Sequence, residues 1–154
     1  MSSVDITDNT GQAKADLERA MARALEIIGG KAESYAKGLT PVGTVESTHV
    51  EHYIGGTLRN SITHSVDEDT VLVGTNVEYA PYVELGTGKE YQPPPEWMEA
   101  HGKRGQGRDK WFWQDMNGDW HVGYPQKPRP FLRPAMENHL DEYKNVIDNE
   151  LKNA

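Results

Sequence analysis

Cysteine is absent from the chain, which excludes disulfide staples, thiolate zinc sites, iron–sulfur ligation and cysteine nucleophiles together. Long apolar runs are missing too. Mean hydropathy is −0.77, the apolar stretches are a few residues long, and the first residues carry Asp5 and Asp8 where a signal peptide would have a basic stretch and an apolar core. Neither a membrane span nor a signal peptide is therefore expected. Basic charge is in deficit: 16 Lys and Arg face 24 Asp and Glu, a net charge of −8 with a pI near 5.2. Gripping nucleic acid over a whole surface needs clustered cations, so any DNA contact is expected to be local. Apolar residues make up 36% of the 154 positions. Counted with glycine and without tyrosine the fraction is roughly 41%, a little under the ~45–50% of ordinary globular chains. That is enough for one domain with a thin core.

What is present falls into an ordered pattern. Residues 1–11 lack periodicity and read as a flexible tail, and 12–154 as one domain with a long Gly/Pro-rich and Trp-rich insertion at 86–127. From Gln12, apolar residues at Leu17, Met21, Ala24, Ile28, Tyr35 and Leu39 alternate with charged ones, an amphipathic helix. Gly29-Gly30 marks a kink, a close helix contact or a break in it, because each glycine costs about 1 kcal/mol in a helix interior. The helix should stop before Thr40-Pro41. Residues 42–57 look like a loop or arm. Leu58, Asn60, Ile62, His64 and Val66 then alternate with polar residues, and Asp67-Glu68-Asp69 followed by Val71-Leu72-Val73 completes an antiparallel hairpin. A short helix over about Tyr79 to Leu85, capped by Asn76 and stopped by Gly86, would accept Pro81 in its first turn. A second hairpin, Trp111 to Gln114 against Trp120 to Tyr124, turns at Asn117-Gly118, where both residues tolerate positive φ. The proline-rich 125–130 leads into a last helix with Met136, Leu140, Tyr143, Ile147 and Leu151 on one face and Pro134 in its first turn. The expected class is α+β: an antiparallel sheet of hairpins packed by a long N-terminal helix and a C-terminal helix.

No chemical constellation stands out. His49, Glu51 and His52 form the most metal-like cluster, but helical metal motifs need histidines four apart, and in a strand His49 and His52 point to opposite faces. A surface or structural role outweighs a metal site. Gly102 to Arg108 has the composition of a phosphate loop without the strand-to-helix setting such loops need. The serines show no nucleophile elbow. No catalytic residue, cofactor or metal is therefore assigned. From residues alone, the rival to a structural role is a small single-stranded nucleic-acid-binding module. In it Trp111, Phe112 and Trp113 would stack on bases while Lys103, Arg104, Arg108 and Lys110 track phosphates.

Three segments carry a resemblance. They are Ala36 to Thr44 (AKGLTPVGT) with Gly56 to Ile62 (GTLRNSI), Val73 to Gly88 (VGTNVEYAPYVELGTG), and Pro128 to Met136 (PRPFLRPAM). In this order the chain resembles the head-to-tail joining and tail-completion (neck) proteins of long-tailed bacteriophages. The first motif is split here by Val45 to Gly55, which suggests an extra arm. The resemblance implies a non-enzymatic virion component, made in the bacterial host cytoplasm and placed at the neck between the DNA-filled head and the tail. Copies would form a ring, a hexamer in this reading, touching connector or stopper proteins on one side and the tail tube protein on the other. DNA would pass through the bore without sequence-specific binding, and no membrane is involved. A tail terminator capping the tail tube is the alternative within the family. Tyr79, Tyr82, Glu84, Phe131 and Arg133 become candidate subunit or partner contacts, with packing inside the domain as the alternative for the two tyrosines and the preferred reading for Phe131. Lys103, Arg104, Arg108, Lys110, Trp111 and Trp113 become candidate DNA or partner contacts.

Overall fold

The computed structural model describes residues 8–43, 55–89, 108–114 and 118–154. Helix α1 (Thr10–Leu39) runs unbroken for 30 residues and is the spine of the fold. The Asp8 carboxylate accepts from the Thr10 backbone N–H at 2.9 Å and from the Thr10 hydroxyl at 2.5 Å, so helix begins two residues inside the segment expected to be tail. Its buried line is Ala20, Ala24, Ile28, Ala32 and Ala36 with Leu25 and Gly29 beside it. The expected stripe was wider, and its two ends, Leu17 and Leu39, are exposed. Small side chains at spacing four let neighbouring elements approach the helix axis closely. Thr40 leaves the helix in extended conformation (ψ 123°) with its hydroxyl donating to the Ala36 carbonyl at 2.6 Å, as the following proline requires.

Gly29 is buried because the imidazole of His64 lies directly on it; a Cβ there would overlap the ring. Of the three readings of the glycine pair, the close contact is the one found at Gly29, and the helix neither kinks into separate pieces nor breaks.

The alternating run at 58–66 is only half strand. Residues Thr57–Ser61 form one helical turn, α2, entered through Gly56 at φ 96°, with the Asn60 N–H donating to the Gly56 carbonyl at 2.8 Å. Leu58 and Ile62 are both buried, and their spacing of four satisfies a helical turn as well as an alternating strand. Strand β1 (Thr63–Asp67) then pairs with β2 (Thr70–Gly74), Asp67 opposite Thr70, so that the acidic residues make the turn. His64, Val66, Val71 and Val73 are partly buried on the inner face, and Leu72 is exposed on the other.

After the short helix α3 (Ala80–Leu85) comes the second hairpin, β3 (Trp111–Gln114) with β4 (Trp120–Gly123). The two hairpins are separate two-stranded sheets, not one sheet of hairpins; the α+β class stands. The expected single C-terminal helix is two, α4 (Leu132–Glu137) and α5 (Leu140–Lys152). At their junction the His139 ring stacks on Tyr35 of α1 at 3.6 Å between centroids, and the Tyr143 hydroxyl donates to the Ala135 carbonyl at 2.6 Å. Pro134 sits in the first turn of α4, as expected.

Among the described residues, two apolar clusters hold these pieces. Ala36, Leu58, Ile62, Ala80, Phe131 and Ala135 form one. Ile28, Ala32 and Tyr143 form the other, with Val71, Met136 and Ile147 packed against it. Polar ties reinforce the α1–α5 contact: the Lys31 ammonium and the Tyr35 hydroxyl each donate to Glu142 at 2.7 Å, and Arg23 meets Glu150 at 3.0 Å. Among the described residues, no helix is long and apolar enough to cross a membrane.

Candidate functional site

Helix α3 is the element around which the candidate contact residues gather. Its entry is shaped by Thr75, whose hydroxyl accepts from the Val77 N–H at 3.1 Å and pairs with the Ser61 hydroxyl at 2.5 Å. The N-cap is Tyr79, without a side-chain cap bond, and not Asn76, which is exposed. Pro81 fits the first turn because its missing N–H would have no helical partner there, and Gly86 at φ 76° ends the helix. Gly74 to Tyr82, Glu84 and Leu85, with Leu132, line an open groove of about 790 Å³ whose wall includes Val77, Tyr79, Tyr82 and Leu85.

The second and third motifs meet at Glu84. Its Oε2 accepts from the backbone N–H groups of Phe131 (2.6 Å) and Leu132 (3.0 Å), and its Oε1 from that of Arg133 (3.0 Å). These donors open α4, which has no side-chain cap of its own, so a carboxylate 47 residues upstream supplies the acceptor that helix starts require. The proline-rich segment before it is fastened along α3. The Arg129 N–H donates to the Val83 carbonyl (2.8 Å) and the Thr87 N–H to the Gln126 carbonyl (2.9 Å), while the Gln126 N–H donates to the Thr87 hydroxyl (3.0 Å). Of the five candidate contacts, then, Tyr79, Tyr82 and Glu84 line the groove. Arg133 is exposed beside it, and Phe131 is fully buried beneath, with no exposed surface. Glu84 works inside the subunit as a bracket between motifs.

The candidate DNA or partner residues are brought together only in part. Arg108 and Lys110 are exposed at the base of the second hairpin, with the Lys110 ammonium 5.9 Å from the Phe112 ring centroid. Trp111 is half-buried, its indole lying across Gly123, where a Cβ would overlap it. Trp113 pairs with His121 in the ladder. Lys103 and Arg104 lie outside the described residues, as do His49, Glu51 and His52.

Sequence reasoning missed a charged bridge between α1 and the first hairpin. The His64 backbone N–H donates to Glu33 Oε2 at 3.1 Å and its Nδ1 lies 2.6 Å from the same oxygen, while Nε2 lies 3.2 Å from Glu26 Oε1. Lys37 hydrogen-bonds the other Glu33 oxygen. Lys37 first, then His64, holds the Glu33 carboxyl down at about 2, well below its ordinary 4.5. Hydrogen bonding to Glu33 raises His64 above its ordinary 6.5 against the opposing effect of burial. A raised histidine stabilises fully below 6.5 and loses that contribution as pH climbs through its folded value; a depressed glutamate stabilises above about 4.5 and loses it as pH falls toward 2. The bridge is therefore strongest between pH 4.5 and 6.5. The gap in unfolding free energy between the parent and His64→Gln, read by urea denaturation across pH, should be widest in that window, on the order of 1 kcal/mol, and narrow as pH rises above it. A gap that is the same at every pH would show that the imidazole charge contributes nothing.

A family model described as "Bacteriophage HK97-gp10, putative tail-component" matches residues 5–86. That range ends at Gly86 and so contains the whole of α1, the first hairpin and the groove helix. No curated protein and no solved structure matches the chain.

Proposed function

Because the chain belongs to the HK97-gp10-like family of bacteriophage tail components, we propose that it is a non-catalytic, ring-forming subunit of the phage neck that joins the DNA-filled head to the tail. The family match carries this reading. Two features of the protein support it. The third motif, which lies beyond the matched range, is locked by Glu84 to the second, which lies within it. The structural unit therefore extends past residue 86. The surplus of eight negative charges suits a conduit, since acidic walls repel phosphates and let DNA slide.

In this role the subunit contacts its own copies, a connector or stopper protein towards the head, and the tail tube protein towards the tail. A terminator role would place the subunit at the end of the tail tube, where it also stops the tube's growth. A nonsense allele in the intact phage separates the outcomes. Loss of a neck subunit should leave filled heads beside unjoined tails of normal length, with infectious titre down at least a thousandfold. Loss of a terminator should give tails of uncontrolled length. Joined particles at normal titre would sink both.

A further inference from the structure

We propose that the aromatic face of the β3–β4 hairpin of one copy seats in the groove over α3 of the next copy, in a head-to-tail contact. This rests on the ring reading above and specifies which surfaces make the ring.

The hairpin register places Phe112 opposite Val122 and Gln114 opposite Trp120. Residues two apart on a strand share a face, so Phe112, Trp120 and Val122 lie together, and Tyr124 continues the line. Phe112 is 61% exposed and Trp120 70%, and Val122 and Tyr124 are exposed too. A lone two-stranded hairpin is at best marginal in water, and a contiguous aromatic patch on a protruding element marks an interaction surface. The same protein offers a concavity of about 790 Å³ walled by Val77, Tyr79, Tyr82, Leu85 and Leu132. A copy does not fill its own groove with its own hairpin. The segment after β4 is fastened along α3 by Arg129 and Gln126, and the aromatic face stays exposed.

Charge points the same way. Among the described residues that line it, the groove carries Glu78, which is exposed, and Glu84, and no Lys or Arg. The base of the hairpin carries Arg108 and Lys110 against Asp109 alone, all three exposed. Two different patches that fit each other on one molecule make a heterologous contact, which closes into a ring when the rotation per copy divides a full turn. Aromatic anchors in an apolar pocket with opposite charges at the rim have the anatomy of a protein interface.

The test uses the full chain and two sets of exposed substitutions, Phe112→Asp with Trp120→Asp in the hairpin and Glu78→Lys with Tyr79→Lys at the groove. Trp120→Ser and Tyr79→Ser replace either set if circular dichroism shows it misfolded. Native mass spectrometry and sedimentation are read up to ~100 µM, a range that captures micromolar contacts. The parent chain should assemble, and each set alone should raise the half-assembly concentration at least tenfold. An equimolar mixture of the two sets should give a one-to-one pair and nothing larger, because it holds one intact hairpin and one intact groove. Parent assembly should weaken severalfold between low and high salt. If either set assembles as the parent does, or the mixture stays monomeric, the contact is wrong while the ring stands. A parent chain that remains monomeric throughout removes the ring and this contact together.

Discussion

Phe131→Ala is expected to lower the free energy of unfolding by about 3–5 kcal/mol, the usual cost of deleting a large buried aromatic side chain. Phe131 has no exposed surface, and its cluster neighbours are Ala36, Leu58, Ile62, Ala80 and Ala135. Three of those five are alanines, too short to fill the space a phenyl ring leaves, and Tyr35, Val73, Val77, Val83 and Leu132 packed around the cluster can relax into it only in part, so a cavity term remains. The ring also joins α1, α2, α3 and α4, since one residue or more of each lies in the cluster. For a domain whose whole stability is about 5–15 kcal/mol, the substitution approaches unfolding. Urea denaturation should show a lower midpoint at unchanged slope. A loss under about 1 kcal/mol would show that the ring does not hold the cluster together.

Glu84→Gln should cost about 2–3 kcal/mol, since hydrogen bonds to a charged group contribute ~1.5–3 kcal/mol each and some are replaced by weaker ones. The amide retains one oxygen acceptor but turns an NH2 group towards backbone donors that a carboxylate satisfied at 2.6–3.0 Å. The effect should be local as well as global: amide hydrogen exchange at Phe131, Leu132 and Arg133 should quicken at least tenfold relative to the α1 interior. Unchanged exchange at those three amides would show that the bracket does not hold α4. Because Glu84 also lines the groove, the same variant should weaken assembly less than the Tyr79 substitutions do, its carboxylate being engaged inward.

The contrast between these two residues shows what the sequence made legible. Strong local signals were readable: Pro41 ending α1, Pro81 and Gly86 framing α3, and Gly118, which takes φ 91° ahead of β4. Each acts through the backbone of its own neighbours. Long-range partners were not readable. Glu84 carries no mark that its acceptors' counterparts are backbone N–H groups 47 to 49 positions away, because every non-proline residue offers the same donor. Gly29 announced a close approach without naming His64, whose place over it depends on the hairpin docking to α1. Leu58 and Ile62 satisfy two periodicities, and the Gly56 conformation with the buried cluster chose the helical turn. The split at Asn138-His139 has no proline or glycine to signal it; it coincides with the stacking of His139 on Tyr35. The groove itself was legible as a motif but not as a shape, since its far wall is Leu132 from the other end of the domain.

The most direct measurement is an electron cryomicroscopy reconstruction of the junction between head and tail in intact particles. A ring of this chain is expected there, with α1, the first hairpin and α5 recognisable in each copy and the β3–β4 hairpin of each lying over the α3 groove of its neighbour. A junction whose rings are all accounted for by other chains, with this one absent from the particle, would contradict the neck assignment.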